Sequence, residues 1–383
     1  MGRSQQRSYA RAGVNAVGAA SALTDLTSLL RETFALRKGI GRVMLPFGYF
    51  ANVIALGENR GLAISTDGVG SKILVAQMLG KFDTIGIDCI AMNANDLLGV
   101  GAEPLALVDY VAVQSPNRRL LRDMGRGLLE GARRARITIP GGEIAQLGDI
   151  IRGVHKDDGF DLVGTCLGIV PLDRIIVGQR LKPKDVILGL RSSGIHSNGL
   201  TLARDVFFRR QRLRPDQYIP ELGRIIGAEL LEPTHIYVPE IIEMLRAGLD
   251  VKALIHVTGD GLLNLSRVKA RVGFVIDFWP EPHPIFGLIQ AMGRISPAEM
   301  FRVYNMGIGF CVVLPNDSRQ IDQATAIATR HGVECYRLGY TIRDPEQKIT
   351  MRPYNLVGKG ERLFSGSRGT AHGAQRGRRK RSR

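Results

Sequence analysis

The sequence predicts a two-domain α/β protein with α+β layers, on three observations. Its 383 residues are more than one hydrophobic core ordinarily serves, so the chain divides into two. Hydrophobic residues make up 44% and charged residues 23%, the balance of a globular chain. Strand-like apolar runs ending in glycine-rich turns alternate with helical patterns along most of its length, which is how α/β and α+β layers read.

Taken in order, residues 61–65 (GLAIS) read as a buried strand running into TDGVGSK. Residues 82–98 read as a helix stopped by Gly99, Gly101 and Pro104, because glycine and proline end helices. A strand over 105–113 (LALVDYVAV), a basic amphipathic helix over 118–136 and a strand over 161–170 (DLVGTCLGIV) follow. The pattern breaks at 171–184 (PLDRIIVGQRLKPK), a junction. The expected domains are therefore 1–172 and 173–345, followed by a basic, disordered tail over 346–383. The second domain opens with a strand over 185–190, the turn RSSGIHSNG and a helix to Arg209. Strands are expected over 253–257, 273–277, 307–314 and 334–340, with helices over 262–268, 284–292 and 321–331.

Composition narrows the class. The 46 glycines, about 12% of the chain against a usual ~7%, suit loops where backbone approaches a ligand closely. Cys89, Cys166, Cys311 and Cys335 stand singly in apolar runs with no CxxC pair, so buried reduced thiols are expected and a zinc or redox site is not. No run of 18 apolar residues occurs, and the basic start MGRSQQRSYARAG leads into no apolar core. A soluble, cytoplasmic protein with neither membrane span nor secretory signal is the expectation. The net charge is +16, and the last residues, SRGTAHGAQRGRRKRSR, carry seven Arg or Lys and no acid. That run is either a solubilising tail or a weak, salt-sensitive contact for RNA or another polyanion.

Several loops concentrate chemistry. Ser65-Thr66-Asp67-Gly68-Val69-Gly70-Ser71-Lys72 puts a carboxylate, two glycines, hydroxyls and a lysine at a strand end. Such a mixture offers exposed amides, a metal ligand and a cation to phosphate, although a tight turn with a surface Asp reads the same way. It lacks the GxxxxGK[ST] spacing of a Walker A loop. Asn95-Asp96 falls in the last turn of the 82–98 helix, where an acid faces the negative dipole end at a cost of about 0.3–1 kcal/mol unless a cation or solvent compensates. Gly141-Gly142-Glu143 adds a third loop acid. Asp67, Asp96 and Glu143 together form a candidate Mg²⁺ set. Ser192–Gly199 (SSGIHSNG) lies between strand and helix, where Ser197 or Asn198 caps the helix and His196 reaches a phosphate or leaving oxygen. His256-Val257-Thr258-Gly259-Asp260-Gly261 repeats the arrangement.

In this order the segments resemble the aminoimidazole ribonucleotide synthetase family, also called phosphoribosylformylglycinamidine cyclo-ligase. The matching stretches are SYARAGV, STDGVGSK, DTIGIDCIAMNANDLLGVGAEPLALVDY, GGE, DLVGTCLGIV, DVILGLRSSGIHSNGLTLAR, LLEPTHIYVPEI, HVTGDGLLNLSRV, EMFRVYNMGIGF and YRLGYTI. The resemblance implies a two-domain fold whose N-terminal sheet pairs across a homodimer. It implies ATP and Mg²⁺ as cofactors and formylglycinamidine ribonucleotide as substrate, in purine biosynthesis. It further implies His196, His256 and Lys72 as catalytic residues. Asp67, Gly68, Gly70, Ser71, Asn95, Gly142, Ser197, Asn198 and Thr258 would line the nucleotide, and Asp67, Asp96 and Glu143 would hold metal.

The chain departs from the family in three places. The glycine-rich loop of the form GGFGG is here MLPFGYFAN, Asp260 stands where glycine is usual, and the early AGVD pattern ends in Asn15. Sister enzymes fit less well. Selenophosphate synthetase wants a reactive cysteine near the start, whereas the first here is Cys89, and thiamine monophosphate kinase lacks a segment like SSGIHSNG. A non-catalytic, polyanion-binding relative is the remaining alternative.

Overall fold

The computed structural model describes residues 16–366, with side chains from residue 22 onward. The SYARAGV segment, Asn15 and the basic run from Ser367 lie outside the described residues. The first sheet joins β1 (Asn52–Gly57), β2 (Arg60–Gly68), β3 (Glu103–Val113), β4 (Thr138–Gln146) and β5 (Phe160–Pro171) in the order β1-β2-β5-β3-β4. Neighbours are antiparallel except β3 and β4. Burial along β5 alternates residue by residue through most of its length, as a sheet covered on one face requires.

An N-terminal helix, α1 (Ala16–Arg31), precedes this sheet, and α2 (Lys72–Leu79) follows β2. The covering layer is α3 (Ile85–Leu98), backed by α4 (Arg118–Ala135). Every residue of α3 is buried except Asp96. α4 starts where Asn117 accepts from the amides of Arg119 and Leu120, and it turns Leu120, Met124, Leu128, Ala132 and Ala135 inward. That spacing is one helical face. The two helices touch backbone to backbone. A Cβ on Gly86 would lie 2.1 Å from the Leu128 amide nitrogen, and one on Gly127 2.5 Å from the Asp83 carbonyl.

The second sheet has eight strands in the order β15-β14-β13-β10-β12-β6-β11-β9. Here β6 is Val186–Arg191, β9 Ala253–His256, β10 Val272–Ile276, β11 Ile308–Leu314 and β12 Cys335–Arg343. A small hairpin, β7 (Tyr218–Ile219) with β8 (Arg224–Ile225), stands apart. All of β11 is buried, matching its unbroken apolar run IGFCVVL. Helices α5 (Leu200–Arg204), α6 (Ile226–Leu230), α7 (Val238–Arg246), α8 (Pro284–Gly293), α9 (Pro297–Val303) and α10 (Ser318–Arg330) complete the domain.

Three expectations are corrected here. The helix expected over 262–268 is a 3-10 segment, Gly261–Ser266; Leu262, Leu263 and Leu265 are all buried, and a short piece packed on every side tightens to i→i+3 bonding. The helix expected to run to Arg209 ends at Arg204 and continues as a π-helical turn, Asp205–Arg210. The tail expected from 346 is folded as far as 366, because Ile349, Met351, Leu356 and Leu363 bury apolar side chains. They do so on β13 (Ile349–Met351), β14 (Leu356–Lys359) and β15 (Arg362–Ser365), and β13 lies parallel to β10. Cys89, Cys166 and Cys311 are buried free thiols and Cys335 is partly buried.

The seam between the domains is polar and buried. Lys72 has no exposed side-chain surface, and its Nζ donates to Asp88 Oδ1 at 2.8 Å and to the Glu232 carbonyl at 2.6 Å. The same Oδ1 accepts from the Thr234 amide and hydroxyl, each at 2.7 Å, and from Ser197 Oγ at 3.2 Å. Two turns along α3, Asn95 donates to the His235 carbonyl and accepts from the Tyr237 amide, both at 2.9 Å. One polar face of α3 thus satisfies the backbone of 234–237. Removing one member of a buried pair strands the other charge, at about 3–5 kcal/mol. Lys72→Met and Asp88→Asn should therefore each lower stability in urea unfolding by several kcal/mol, and Lys72→Met/Asp88→Leu should recover part of the loss.

Candidate active site

The end of β2 and the end of α3 meet at this seam, facing two loops of the second domain. Asp67 closes β2 and accepts from the Gly68 amide at 2.8 Å. Asn93 of α3 donates to the Asp67 carbonyl at 3.1 Å, which fixes strand end to helix. Burial, and then the charge of Asp96, push the Asp67 carboxyl up to about 6, against the Gly68 amide and His256, which pull it down. Asp96 Oδ1 lies 2.8 Å from His256 Nδ1 of β9. That contact answers the unfavourable helix-end position of Asp96. His256 is buried against Phe310, ring centres 6.0 Å apart.

His196 occupies the left-handed region at φ 64° and is 2% exposed. Its Nε2 accepts from the Ser193 amide at 3.3 Å, and its Nδ1 is buried with no partner among the described residues. Burial, then His256 and Lys72, hold it well below the usual histidine range, so the ring is neutral. With Nε2 accepting, the proton sits on Nδ1, an unused donor.

The remaining expected residues sort by what they touch. Lys72 and Asn95 are fully buried, and their polar atoms are taken up by the seam. Ser197 Oγ bonds Asp88 and Thr234, and the N-cap of α5 is Gly199 with no side-chain cap, so neither Ser197 nor Asn198 caps that helix. Asn198 instead sits beside Gly259, whose Cβ would come 3.3 Å from its Oδ1. Ser71 Oγ meets Thr201 Oγ1 at 2.8 Å rather than capping α2. Gly70 supplies the φ of 70° that turns the chain from Asp67 into α2. Thr258 accepts from Asn264 at 3.3 Å.

Glu143 does not join the other acids. It lies on edge strand β4, exposed, opposite Tyr110, while its neighbour Gly142 pairs with Asp109. Alternate residues of a strand face opposite sides, so Glu143 points away from the face that carries Asp67. The acid on the Asp67 side is Asp109, which sequence reasoning missed. Asp67 and Asp109 both pair with Gly164 of β5, and burial raises the Asp109 carboxyl. Gly142 is there for Asp109: a Cβ on it would lie 1.7 Å from Asp109 Oδ1. The signal was an acid in step with buried Leu107, Val111 and Val113.

Among the described residues, no three His, Cys, Asp or Glu side chains converge enough to hold a metal alone. Asp67 and Asp96 nevertheless repel each other in a buried place, which a cation would relieve. Mg²⁺ is commonly bound by one or two carboxylates plus phosphate oxygens and water, and the pair fits that demand.

The arrangement is that of a two-domain α/β protein in which two carboxylates and a histidine come together at the seam. The chain belongs to the AIR synthase related protein family: its N-terminal domain model matches residues 48–170 and its C-terminal domain model residues 182–352. It is 46% identical over 319 residues to the phosphoribosylformylglycinamidine cyclo-ligase of Methanothermobacter thermautotrophicus, covering 83% of this chain and 90% of that one. To the cyclo-ligase of Thermococcus kodakarensis it is 45% identical over 342 residues, 89% of this chain and 97% of the other. Among solved structures, the HypE–HypF complex shares the fold at TM-score 0.57 and 18% identity, over 82% of this chain and 93% of that one. Thermotoga maritima (T. maritima) PurL complexed with ATP does so at TM-score 0.53 and 15% identity, over 79% and 44%.

The raised Asp67 carboxyl has a consequence for stability. Between pH ~4 and ~6 the folded protein keeps a proton that the unfolded chain has released, so stability falls as pH rises through that window and stays lower above it. Asp67→Asn should flatten this slope and stabilise the metal-free protein at pH 8 by about 1–3 kcal/mol, read by urea unfolding across pH 4.5–8.

Proposed function

We propose that this chain closes the imidazole ring of aminoimidazole ribonucleotide from formylglycinamidine ribonucleotide, converting ATP to ADP and phosphate. The observation that carries the reaction is the agreement of relatives about 45% identical over most of the chain, all named for it. The Asp67–Asp96–His256 junction supplies the place. The formyl amide oxygen attacks the γ-phosphorus and ADP leaves. The amidine nitrogen then attacks the activated carbon, phosphate departs with the oxygen, and the nitrogen loses a proton. Nothing here requires a covalent nucleophile from the protein, so positioning and charge neutralisation do the catalysis.

Asp67 and Asp96 would hold Mg²⁺, which neutralises phosphoryl charge when bound. Asp96 also fixes the His256 ring through Nδ1. Neutral His196 would act by holding the 193–196 turn, through Nε2 and the Ser193 amide. Asn198, Thr258 and the 256–261 loop line the same side of the seam and would meet phosphate groups. Lys72 acts at one remove, by holding Asp88 and the 232–234 backbone in place.

Two copies would associate through the outer face of the first sheet, where Val108, Tyr110 and Ile169 are 38%, 42% and 37% exposed. No described element of this chain covers them, and contiguous exposed apolar surface of this kind marks an interface. Glu143 shares that face and would lie at the contact. A cytoplasmic setting suits this chemistry, and among the described residues no helix is long and apolar enough to cross a membrane.

The test is formation of aminoimidazole ribonucleotide by purified protein with ATP, Mg²⁺ and formylglycinamidine ribonucleotide. Asp96→Asn should lower kcat by about 100-fold or more, the scale of losing one transition-state electrostatic contact, with the fold intact by circular dichroism. A folded wild-type protein that binds ATP and forms no product would refute the assignment. Separately, Tyr110→Glu should shift the sedimentation coefficient from dimer to monomer; an unchanged dimer would place the contact elsewhere.

A further inference from the structure

Two departures from the family pattern, the rewritten loop and Asp260, are joined through Arg267. In the loop LPFGYFA (45–51), Phe50 is buried and packs on Gly99, where a Cβ would lie 2.8 Å from Phe50 Cδ2. Gly99 ends α3, three residues after Asp96. The same loop, with Ser65, Thr66 and Asp96, lines a cleft of about 180 Å³. From the second domain, the Arg267 guanidinium carbon lies 5.3 Å from the centre of the Phe50 ring. Arg267 Nη2 is 2.5 Å from Oδ2 of Asp260.

These contacts explain one another. A lone carboxylate in the 256–261 loop would repel phosphate, but at contact distance Arg267 cancels its charge. A guanidinium holds a carboxylate with its edge and an aromatic ring with its face at once. Asp260 therefore aims Arg267, and Arg267 presses the ring of Phe50 toward α3. A glycine-rich loop approaches phosphate because it lacks side chains; a loop with Pro46, Phe47 and Tyr49 has to be held in place instead.

We infer that Asp260, Arg267 and Phe50 form an interdomain clamp that holds loop 45–51 against the Asp96 end of the nucleotide cleft, with Arg267 as a positioning residue for ATP. The inference rests on reading that cleft as the nucleotide site. The clamp touches no reacting atom. Its effect lies on nucleotide binding, and it spans the seam where the loop belongs to one domain and the arginine to the other.

Hydrogen exchange of residues 45–51 in the full-length, nucleotide-free protein reads the clamp directly, beside KM and kcat for ATP. An exposed cation–ring contact changes an equilibrium about two- to fivefold. Arg267→Met and Phe50→Leu should speed exchange in 45–51 by that factor and raise the KM for ATP by a similar one, with kcat within twofold. Arg267→Lys, which keeps a cation, should recover part of both. Asp260→Asn should loosen the loop in the same direction, and Asp260→Asn/Arg267→Met should be no worse than Arg267→Met. Unchanged exchange in Arg267→Met and Phe50→Leu, or an additive double variant, would overturn the clamp. Since exchange is read without nucleotide, faster exchange in the variants supports the clamp even if the wild type makes no product, an outcome that sinks the cyclo-ligase reading alone.

Discussion

The buried ion pair between Lys72 and Asp88 is the constraint on which the rest depends. Both side chains have no exposed surface, and burying two charges is favourable only where hydrogen bonds satisfy what remains. Here the Glu232 carbonyl takes the Lys72 ammonium and the Thr234 amide and hydroxyl and Ser197 Oγ take Asp88 Oδ1, while Asp88 Oδ2 stays buried with no partner among the described residues. All four come from the second domain, so the charges of the first domain are stable only when the second is docked. Asn95 repeats the device farther along α3. The result is a seam with one geometry, and the cleft lies on it.

That geometry lets the protein hold like charges close together. Burial first, and then the neighbouring Asp96, raise the Asp67 carboxyl, and α3 tolerates an acid in its last turn because His256 reaches across the seam. Strain of this electrostatic kind persists where the scaffold over-determines it, and it concentrates at functional sites. The acids are positioned by a strand end and a helix end, both backed by buried apolar residues, rather than by long loops.

Much of the fold was readable from the residues. Period-2 burial in β5 and the inward stripe of α4 announce themselves, because each element meets solvent on one side only. That Asp67, Asp96 and His256 come together was foreshadowed too, since each stands at an element end within three residues of a glycine. What stayed hidden depends on partners distant in sequence. Asp88 looks like any helix acid until Thr234 is placed beside it, and Lys72 looks like a phosphate ligand until Glu232 and Asp88 enclose it. Glu143 shares its motif with Gly142 yet faces the other side of the sheet, and Asp109 is the acid on the face that carries Asp67. The tail boundary was misjudged because β13, β14 and β15 are short and polar between their few buried residues. Pairing with β10, not local pattern, makes them strands.

The order of the second sheet bears on how the chain is made. β6 is synthesised early in its domain, yet its two neighbours are β11 and β12, more than a hundred residues downstream. The first sheet closes within residues 52–171, so it assembles while the second is still emerging from the ribosome, as domains generally do. During that interval Asp88 and Asn95 have no Thr234, His235 or Tyr237 to meet, and α3 presents an unmatched polar stripe to water. Water satisfies that stripe meanwhile, which an apolar seam would not allow without inviting aggregation. A polar seam thus suits a chain whose halves mature at different times.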